Sequence, residues 1–150
     1  MNAYIRNVSI SALLLIALLA LHFASPPSGG LWLRTFYDST HIPIFGLLAI
    51  GILSMTPVSW SGQRRFLVSL SIVALLAALS ELAQVPTVRD ASLRDFISDM
   101  MGGVGFLCIA MGISQGHSTY RLRRLSMLLI GFVSMTIPLI PLGIVSAAYT

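Results

Sequence analysis

The sequence predicts an all-α integral membrane protein, a single helical bundle with about five transmembrane helices. Of its 150 residues, 56% are hydrophobic and only 9% are charged, whereas about a quarter of the residues of a soluble domain carry charge. The mean hydropathy is +0.89. The apolar stretches between charges approach the roughly 20 residues that one helix needs to cross a bilayer. A soluble domain and a disordered chain are therefore excluded.

The apolar stretches place five helices along one domain of residues 1–150. They cover about residues 7–24, 42–58, 66–85, 96–114 and 125–148. The length of the first stretch favours an uncleaved helix, and a signal peptide is the alternative. Pro138 and Pro141 are expected to kink the last helix. Three glycines of the fourth helix should let another helix approach closely, namely Gly102, Gly103 and Gly105.

The arginines predict how the helices are oriented in the membrane. All nine basic residues are arginines, and six of them fall on the side of the N-terminus. These six are Arg6, Arg64, Arg65, Arg121, Arg123 and Arg124. Because loops rich in basic residues stay in the cytoplasm, we expect a cytoplasmic N-terminus. The arginines are spread over several loops, so the expected partner is the lipid bilayer rather than a nucleic acid.

In this topology all five acidic residues fall on the opposite, extracytoplasmic side. Asp38 and His41 precede the second helix, and Glu81 and Gln84 end the third. The remaining polar residues of this side lie between the third helix and the first turns of the fourth, and they are Arg89, Asp90, Arg94, Asp95 and Asp99. Four distant segments thus deliver polar groups to one membrane face.

The spacing of these carboxylates indicates that they need partners. Asp95 and Asp99 are four residues apart and share a helix face, so either a cation lies between them or one is protonated. Arg89, Arg94 or a metal would supply that cation. Glu81 lies inside an apolar helix end, where a carboxylate is costly and indicates a functional site. No His-x-x-x-His or Cys-x-x-Cys pair occurs, so no metal or other cofactor is expected.

Each group also has a structural interpretation. Asp99 could satisfy the dipole at the start of the fourth helix, and either Ser92 or Asp95 could be the N-cap of that helix. Glu81 and Arg89 could form an ion pair that holds the third and fourth helices together. The sequence leaves these interpretations open beside the functional ones.

The polar residues also resemble the signature of the VanZ-like family of small bacterial membrane proteins. That signature is Glu-x-x-Gln, a downstream Arg, then Asp-x-x-x-Asn-x-x-Gly, and this chain has Glu81-x-x-Gln84, Arg89 and Asp95-x-x-x-Asp99-x-x-Gly102. The family's first motif has an Asp-Lys pair before a His and an aromatic residue one helical turn later. The corresponding segment here is Asp38-Ser-Thr-His41-Ile-Pro-Ile-Phe45. The resemblance covers about residues 36–114.

The chain departs from the family pattern at several positions. Asp38 stands where the family usually has Lys, and Tyr37 takes the position of the usual Asp. Asp99 replaces the usual Asn. The spacing from Gln84 to Arg89 is one residue short, and the second glycine of the fourth helix is out of register.

The resemblance implies a protein of the bacterial cytoplasmic membrane and cell envelope, whose name-giving relative is linked to teicoplanin resistance. One hypothesis is an enzyme on a lipid-linked envelope precursor or a lipoglycopeptide, with Glu81, Asp95 and His41 as acid–base groups. The ligand-binding residues would be Arg89, Gln84, Asp99 and Asp38. The alternatives are a non-catalytic binder of the same amphipathic ligands, and a scaffold or accessory subunit whose polar cluster is structural and whose function lies with a partner protein.

Overall fold

In a computed structural model of the protein, the residues that the structure describes are 8, 9, 12, 16, 30–84, 92–114 and 121–148. All regular elements in these residues are helices. We number them α1 (Leu31–Ser39), α2 (His41–Met55), α3 (Gly62–Gln84), α4 (Leu93–Ser114), α5 (Arg121–Thr136) and α6 (Ile140–Ala148), with a 3-10 turn, Ile137–Leu139, between the last two.

Four helical stretches of the described residues are long and apolar enough to cross a membrane. They are Leu31–Met55, Gly62–Ala83, Leu93–Ser114 and Arg121–Ala148. These match the second to fifth predicted helices, whereas most of the first, residues 7–24, lies outside the described residues. The earliest of the four begins at Leu31 rather than near residue 42, because the helix continues through the charged residues that bounded the apolar stretch. Asp38 and His41 therefore lie within this helical stretch and not ahead of it.

Helices α1 and α2 meet at a local break beside His41. Pro43 has no N–H to donate to the Ser39 carbonyl four residues earlier, so the regular ladder is interrupted there. At the same break, the Thr40 N–H donates to the Tyr37 carbonyl three residues back, at 3.0 Å. His41 consequently stands as the first residue of α2.

A second break separates α5 from α6, where the sequence predicted that two prolines would disturb the helix. Pro138 lies in the 3-10 turn and Pro141 is the second residue of α6, so the predicted disturbance of the helix is confirmed. Beyond the turn, α6 packs against α1. There Trp32 Nε1 donates a hydrogen bond to Ser146 Oγ at 2.9 Å.

Helix α4 is the central helix of the bundle, and its glycines face three different neighbours. A Cβ atom at Gly102 would collide with the backbone carbonyl of Ile42 in α2. One at Gly103 would lie 2.8 Å from Val73 Cγ1 in α3, and one at Gly105 would lie 3.0 Å from a carbonyl oxygen in α5. The prediction that these glycines allow close helix packing is confirmed.

The apolar core lies among α2, α3 and α4, and much of the outer surface is apolar as well. The core residues are Phe45, Leu48, Ala49, Leu53, Val73, Ala77, Leu107 and Met111. In the apolar 18-residue segment of α3, only 22% is buried inside the protein, and in that of α5–α6 only 6%. Exposed leucine, isoleucine and phenylalanine side chains cover these outer faces, as expected of helices that face lipid.

Candidate functional site

A buried histidine–carboxylate pair joins α2 to α4. His41 Nδ1 and Asp99 Oδ1 are 3.1 Å apart, and the two residues are 4% and 0% exposed. Gly102 makes this contact possible, because the missing side chain lets α4 approach the backbone directly after His41. An ionised carboxylate can only accept hydrogen bonds. With Asp99 ionised, His41 Nδ1 therefore carries the hydrogen and donates it to the carboxylate.

Two aromatic rings fix the orientation of the imidazole. The Tyr37 ring meets it edge-on with centroids 6.4 Å apart, and the Phe45 ring lies nearly parallel to it at 6.5 Å. These residues stand one helical turn before and one turn after His41. The aromatic position noted in the sequence motif therefore packs against the histidine, as offset aromatic pairs do in protein cores.

Glu81 joins α3 to the start of α4. It is 7% exposed, and its Oε2 accepts a hydrogen bond from the Ser92 N–H at 2.6 Å. Ser92 Oγ in turn accepts from the Asp95 N–H at 3.3 Å. Ser92 is therefore the N-cap that the sequence left undecided, and Asp95 lies in the first turn of α4.

Three residues of the sequence hypothesis are only partly or not at all described by the structure. Arg89 and Asp90 lie outside the described residues. Gln84 ends α3, and its side chain is not described. The proposed pairing of Glu81 with Arg89 therefore stays a prediction, whereas its contact with Ser92 is observed.

The carboxylates at this end of the bundle lie close together, and two of them are incompletely paired. We call His41, Glu81, Asp95 and Asp99 the polar cluster. Glu81 and Asp95 are near enough to Asp99 to interact with it electrostatically. Glu81 Oε1 and Asp99 Oδ2 are buried and have no hydrogen-bond partner among the described residues. Such groups in an apolar interior require a proton, a cation or a ligand nearby.

A shallow, partly open pocket lies beside the polar cluster, and its cavity volume is about 20 Å³. It lies between the two helix breaks, so that α1, α2, α4, the 3-10 turn and the start of α6 all contribute to its wall. Its lining residues are Thr35, Asp38, Ser39, Ile42, Arg94, Asp95, Ser98, Pro138 and Pro141. Asp95 belongs to both the pocket and the cluster. The other cluster members lie outside this lining.

Sequence reasoning identified Asp38, Arg94 and Asp95 but missed the rest of the pocket. Thr35 stands three residues before Asp38, and Ser98 three residues after Asp95, so each pair shares a helix face. This spacing could have predicted that the Thr35 and Ser98 hydroxyl groups lie beside the two carboxylates. That Pro138 and Pro141 belong to the same wall depends on how the last helix packs, which no local pattern encodes.

Five of the seven described arginines lie at the opposite end of the bundle. Arg65 caps α2, because its Nε and Nη2 donate to Thr56 Oγ1 at 2.9 Å and to the Leu53 carbonyl at 3.1 Å. The Arg64 guanidinium lies 4.0 Å from the centroid of the Trp60 ring. The remaining arginines of this end begin α5 and are Arg121, Arg123 and Arg124. Among the described residues, five arginines thus lie at one end, whereas all four carboxylates lie at the other together with Arg34 and Arg94.

Neither a family model nor a characterised protein nor a solved structure matches the chain. The likeness to the VanZ-like family therefore depends on the motif residues alone and stays a prediction. Within the described residues, no group of three or more His, Cys, Asp and Glu side chains is placed to hold a metal ion.

Proposed function

We propose that the chain is a VanZ-like protein of the bacterial cytoplasmic membrane, with five transmembrane helices and a cytoplasmic N-terminus. Four helices long and apolar enough to cross a membrane support this proposal. Residues 8, 9, 12 and 16 of the first apolar stretch are helical too. The arginines at one end of the bundle are the group that the cytoplasmic side favours. The carboxylate end then faces the cell envelope.

At that face, we propose, the pocket binds the polar headgroup of an amphipathic molecule, either a lipid-linked envelope precursor or a lipoglycopeptide. The observation that carries this proposal is a pocket lined by Asp38, Arg94 and Asp95 in an otherwise apolar bundle. An amphipathic ligand would place its headgroup there and its chains along the apolar outer faces of the helices. A lipoglycopeptide held in this way would contribute to teicoplanin-type resistance.

A structural role of the polar cluster is the second candidate, and two contacts favour it. The His41–Asp99 bond joins α2 to α4, and the Glu81–Ser92 bond joins α3 to α4. A scaffold or accessory subunit needs such links and needs no ligand. Catalysis by His41, Glu81 and Asp95 has less support, because His41 is 4% exposed and an acid–base group must reach its substrate.

Ligand binding by purified protein separates the first two candidates. The protein, in detergent or nanodiscs, is titrated with a fluorescent lipoglycopeptide and with extracted envelope lipids. We expect Asp95→Asn to weaken binding about tenfold or more while the midpoint of thermal unfolding stays unchanged. Arg123→Gln, at the opposite end, is the matched control and should bind like the wild type. Loss of thermal stability without loss of binding would favour the scaffold, and turnover of a bound lipid would favour the enzyme.

The orientation has its own test, since the site must face the envelope. Leu93 is 74% and Val58 is 85% exposed, and they lie at the carboxylate and arginine ends. Leu93→Cys and Val58→Cys are made separately in a Cys108→Ala background, which removes the chain's only cysteine. A membrane-impermeant maleimide added to intact cells should label the cysteine at position 93 alone. Labelling at position 58 alone would reverse the orientation.

A further inference from the structure

The positive charge at the arginine end of the bundle has no counter-charge in the described part of the chain. Five described arginines lie there, whereas all four described carboxylates lie at the other end. The fifth acid of the chain, Asp90, is only two residues from Ser92 of the carboxylate end, and residues 115–120, which precede α5, contain no acid. An anion from outside the chain is therefore the group that compensates this charge.

Two of these arginines follow each other at the start of α3, and both are held in place. The Arg64 guanidinium lies 4.0 Å from the centroid of the Trp60 ring. The turn that carries this ring is closed by the Trp60 N–H, which donates to the Pro57 carbonyl at 3.1 Å. Arg65 is held by its two hydrogen bonds to the end of α2. Side chains that are already ordered lose little freedom when a ligand binds.

Both guanidinium groups keep hydrogen-bond donors for an anion. The attraction of Arg64 to the ring is electrostatic, so its N–H groups still serve as donors. Arg65 donates to its two acceptors through Nε and Nη2, and neither bond uses Nη1. Guanidinium groups bind phosphate oxygens through pairs of N–H donors. The start of α3 is therefore suited to a phosphate group.

An exposed apolar face of α3 begins directly after Arg64. Leu67, Leu75 and Leu79 are exposed, and they follow Arg64 by three, eleven and fifteen residues. These spacings bring side chains to one face of a helix. A ligand whose phosphate binds Arg64 can therefore lay apolar chains along the same face, whereas a free phosphate would leave that face uncovered.

We propose that Trp60, Arg64 and Arg65 form a binding site for the phosphate of an anionic phospholipid, whose acyl chains lie along the exposed leucines of α3. The excess of arginines at this end favours an anionic lipid over a zwitterionic one, because the ammonium of a zwitterionic headgroup would be repelled. The Trp60 ring lies at the depth of the headgroups, where tryptophan is enriched. The site is at the end opposite the pocket, so the inference does not depend on the ligand of the pocket.

Native mass spectrometry of the detergent-solubilised chain tests the site with two lipids, the anionic phosphatidylglycerol and the zwitterionic phosphatidylethanolamine. We expect phosphatidylglycerol to bind about fivefold more tightly or better. Arg64→Gln should remove most of this preference. Arg121→Gln is the matched control and should keep it, because Arg121 also begins a helix with exposed leucines but is not part of the site.

Two outcomes of this experiment would overturn the inference. Equal binding of the two lipids by the wild type would show that the arginine end does not select an anionic headgroup. Equal loss of preference in Arg64→Gln and Arg121→Gln would show a diffuse attraction between the arginines and anionic lipids, with no site at the start of α3.

Fluorescence quenching tests the same site in a bilayer and leaves its residues unchanged. Trp32→Phe makes Trp60 the chain's only tryptophan, and the variant is placed in nanodiscs of both lipids, one of which has brominated acyl chains. At equal mole fraction, we expect brominated phosphatidylglycerol to quench Trp60 more strongly than brominated phosphatidylethanolamine. Equal quenching would overturn the inference. Loss of the difference on addition of millimolar inorganic phosphate would show a site for free phosphate and would overturn the lipid as its ligand. Either failure leaves the proposed binding in the pocket standing, since Asp95 lies at the other end.

Discussion

The two ends of the bundle use their charges in opposite ways. At the arginine end, Arg64 is exposed and contacts a neighbouring ring, and the half-buried Arg65 bonds the end of α2. At the carboxylate end, His41, Glu81 and Asp99 are 4%, 7% and 0% exposed and connect different helices. Surface charges contribute little to stability, whereas breaking a buried pair is strongly destabilising. We therefore expect the buried contacts of the carboxylate end to contribute more to the stability of the bundle than the contacts of the arginine end.

The largest effect is expected from separating α4 from α2. Gly102→Ala would drive a Cβ atom into the Ile42 carbonyl and so pull apart the helices that carry the buried pair. Overpacking alone costs about 1–3 kcal/mol, and loss of the pair adds to it, so we expect a total above about 3 kcal/mol. Thermal unfolding in detergent, followed by tryptophan fluorescence, measures the loss.

Gly62→Ala is the matched substitution at the arginine end. Its Cβ would meet only Met111 Cε, the mobile end of a flexible side chain, at 2.8 Å. Alanine also favours a helix over glycine by up to about 1 kcal/mol, so this variant should be neutral or stabilising. Equal losses from the two substitutions would contradict the difference between the ends.

Removal of the Asp99 carboxylate is expected to have the next largest effect. Asp99→Ala leaves the buried His41 ring without the hydrogen bond at 3.1 Å, and loss of one partner of a buried pair costs about 3–5 kcal/mol. Asp99→Asn keeps an acceptor oxygen and should cost only about 1 kcal/mol. If both variants lost the same stability, the hydrogen bond would not be the stabilising element.

The sequence alone predicted most of the fold and which residues form the polar cluster. It did not predict which of these residues bond to each other. Apolar length predicted the four described spans, and proline chemistry predicted the break before α6. Spacing alone paired Asp95 with Asp99, because only residues on one helix can be compared locally. That Asp99 instead bonds His41 depends on the contact of Gly102 with another helix, and this contact requires the packed structure.

The pocket lay beyond sequence reasoning for the same reason. Its wall combines α1, α4 and the turn before α6, which are far apart along the chain.

The first described span begins at Leu31, earlier than predicted, for a different reason. Arg34 and Asp38 interrupt the apolar stretch, although charged residues at the edge of a helix do not end it, and α1 is held by its packing on α6.

Helix caps are expected to contribute equally at the two ends. Ser92 Oγ accepts from the Asp95 N–H at 3.3 Å, and Ser61 Oγ accepts from the Arg64 N–H at 3.3 Å. Because the contacts match, Ser92→Ala and Ser61→Ala should each cost about 1 kcal/mol, measured as the shift in thermal midpoint. The Ser92 N–H that bonds Glu81 is a backbone group and survives the substitution. A much larger loss at Ser92 would show that its hydroxyl also serves the polar cluster.

The smallest effect is expected from Arg64→Ala. Its guanidinium contacts the Trp60 ring at 4.0 Å, and an exposed contact of this kind contributes about 0.5–1 kcal/mol. The same thermal unfolding measurement should therefore show a small loss, whereas the emission of Trp60 should change because the cation over its ring is removed. Trp60→Phe, which keeps an aromatic face for the guanidinium, is the control for the ring. A loss above about 2 kcal/mol in Arg64→Ala would mean that the arginine end also holds the helices together. The expected difference in stability between the two ends would then be contradicted.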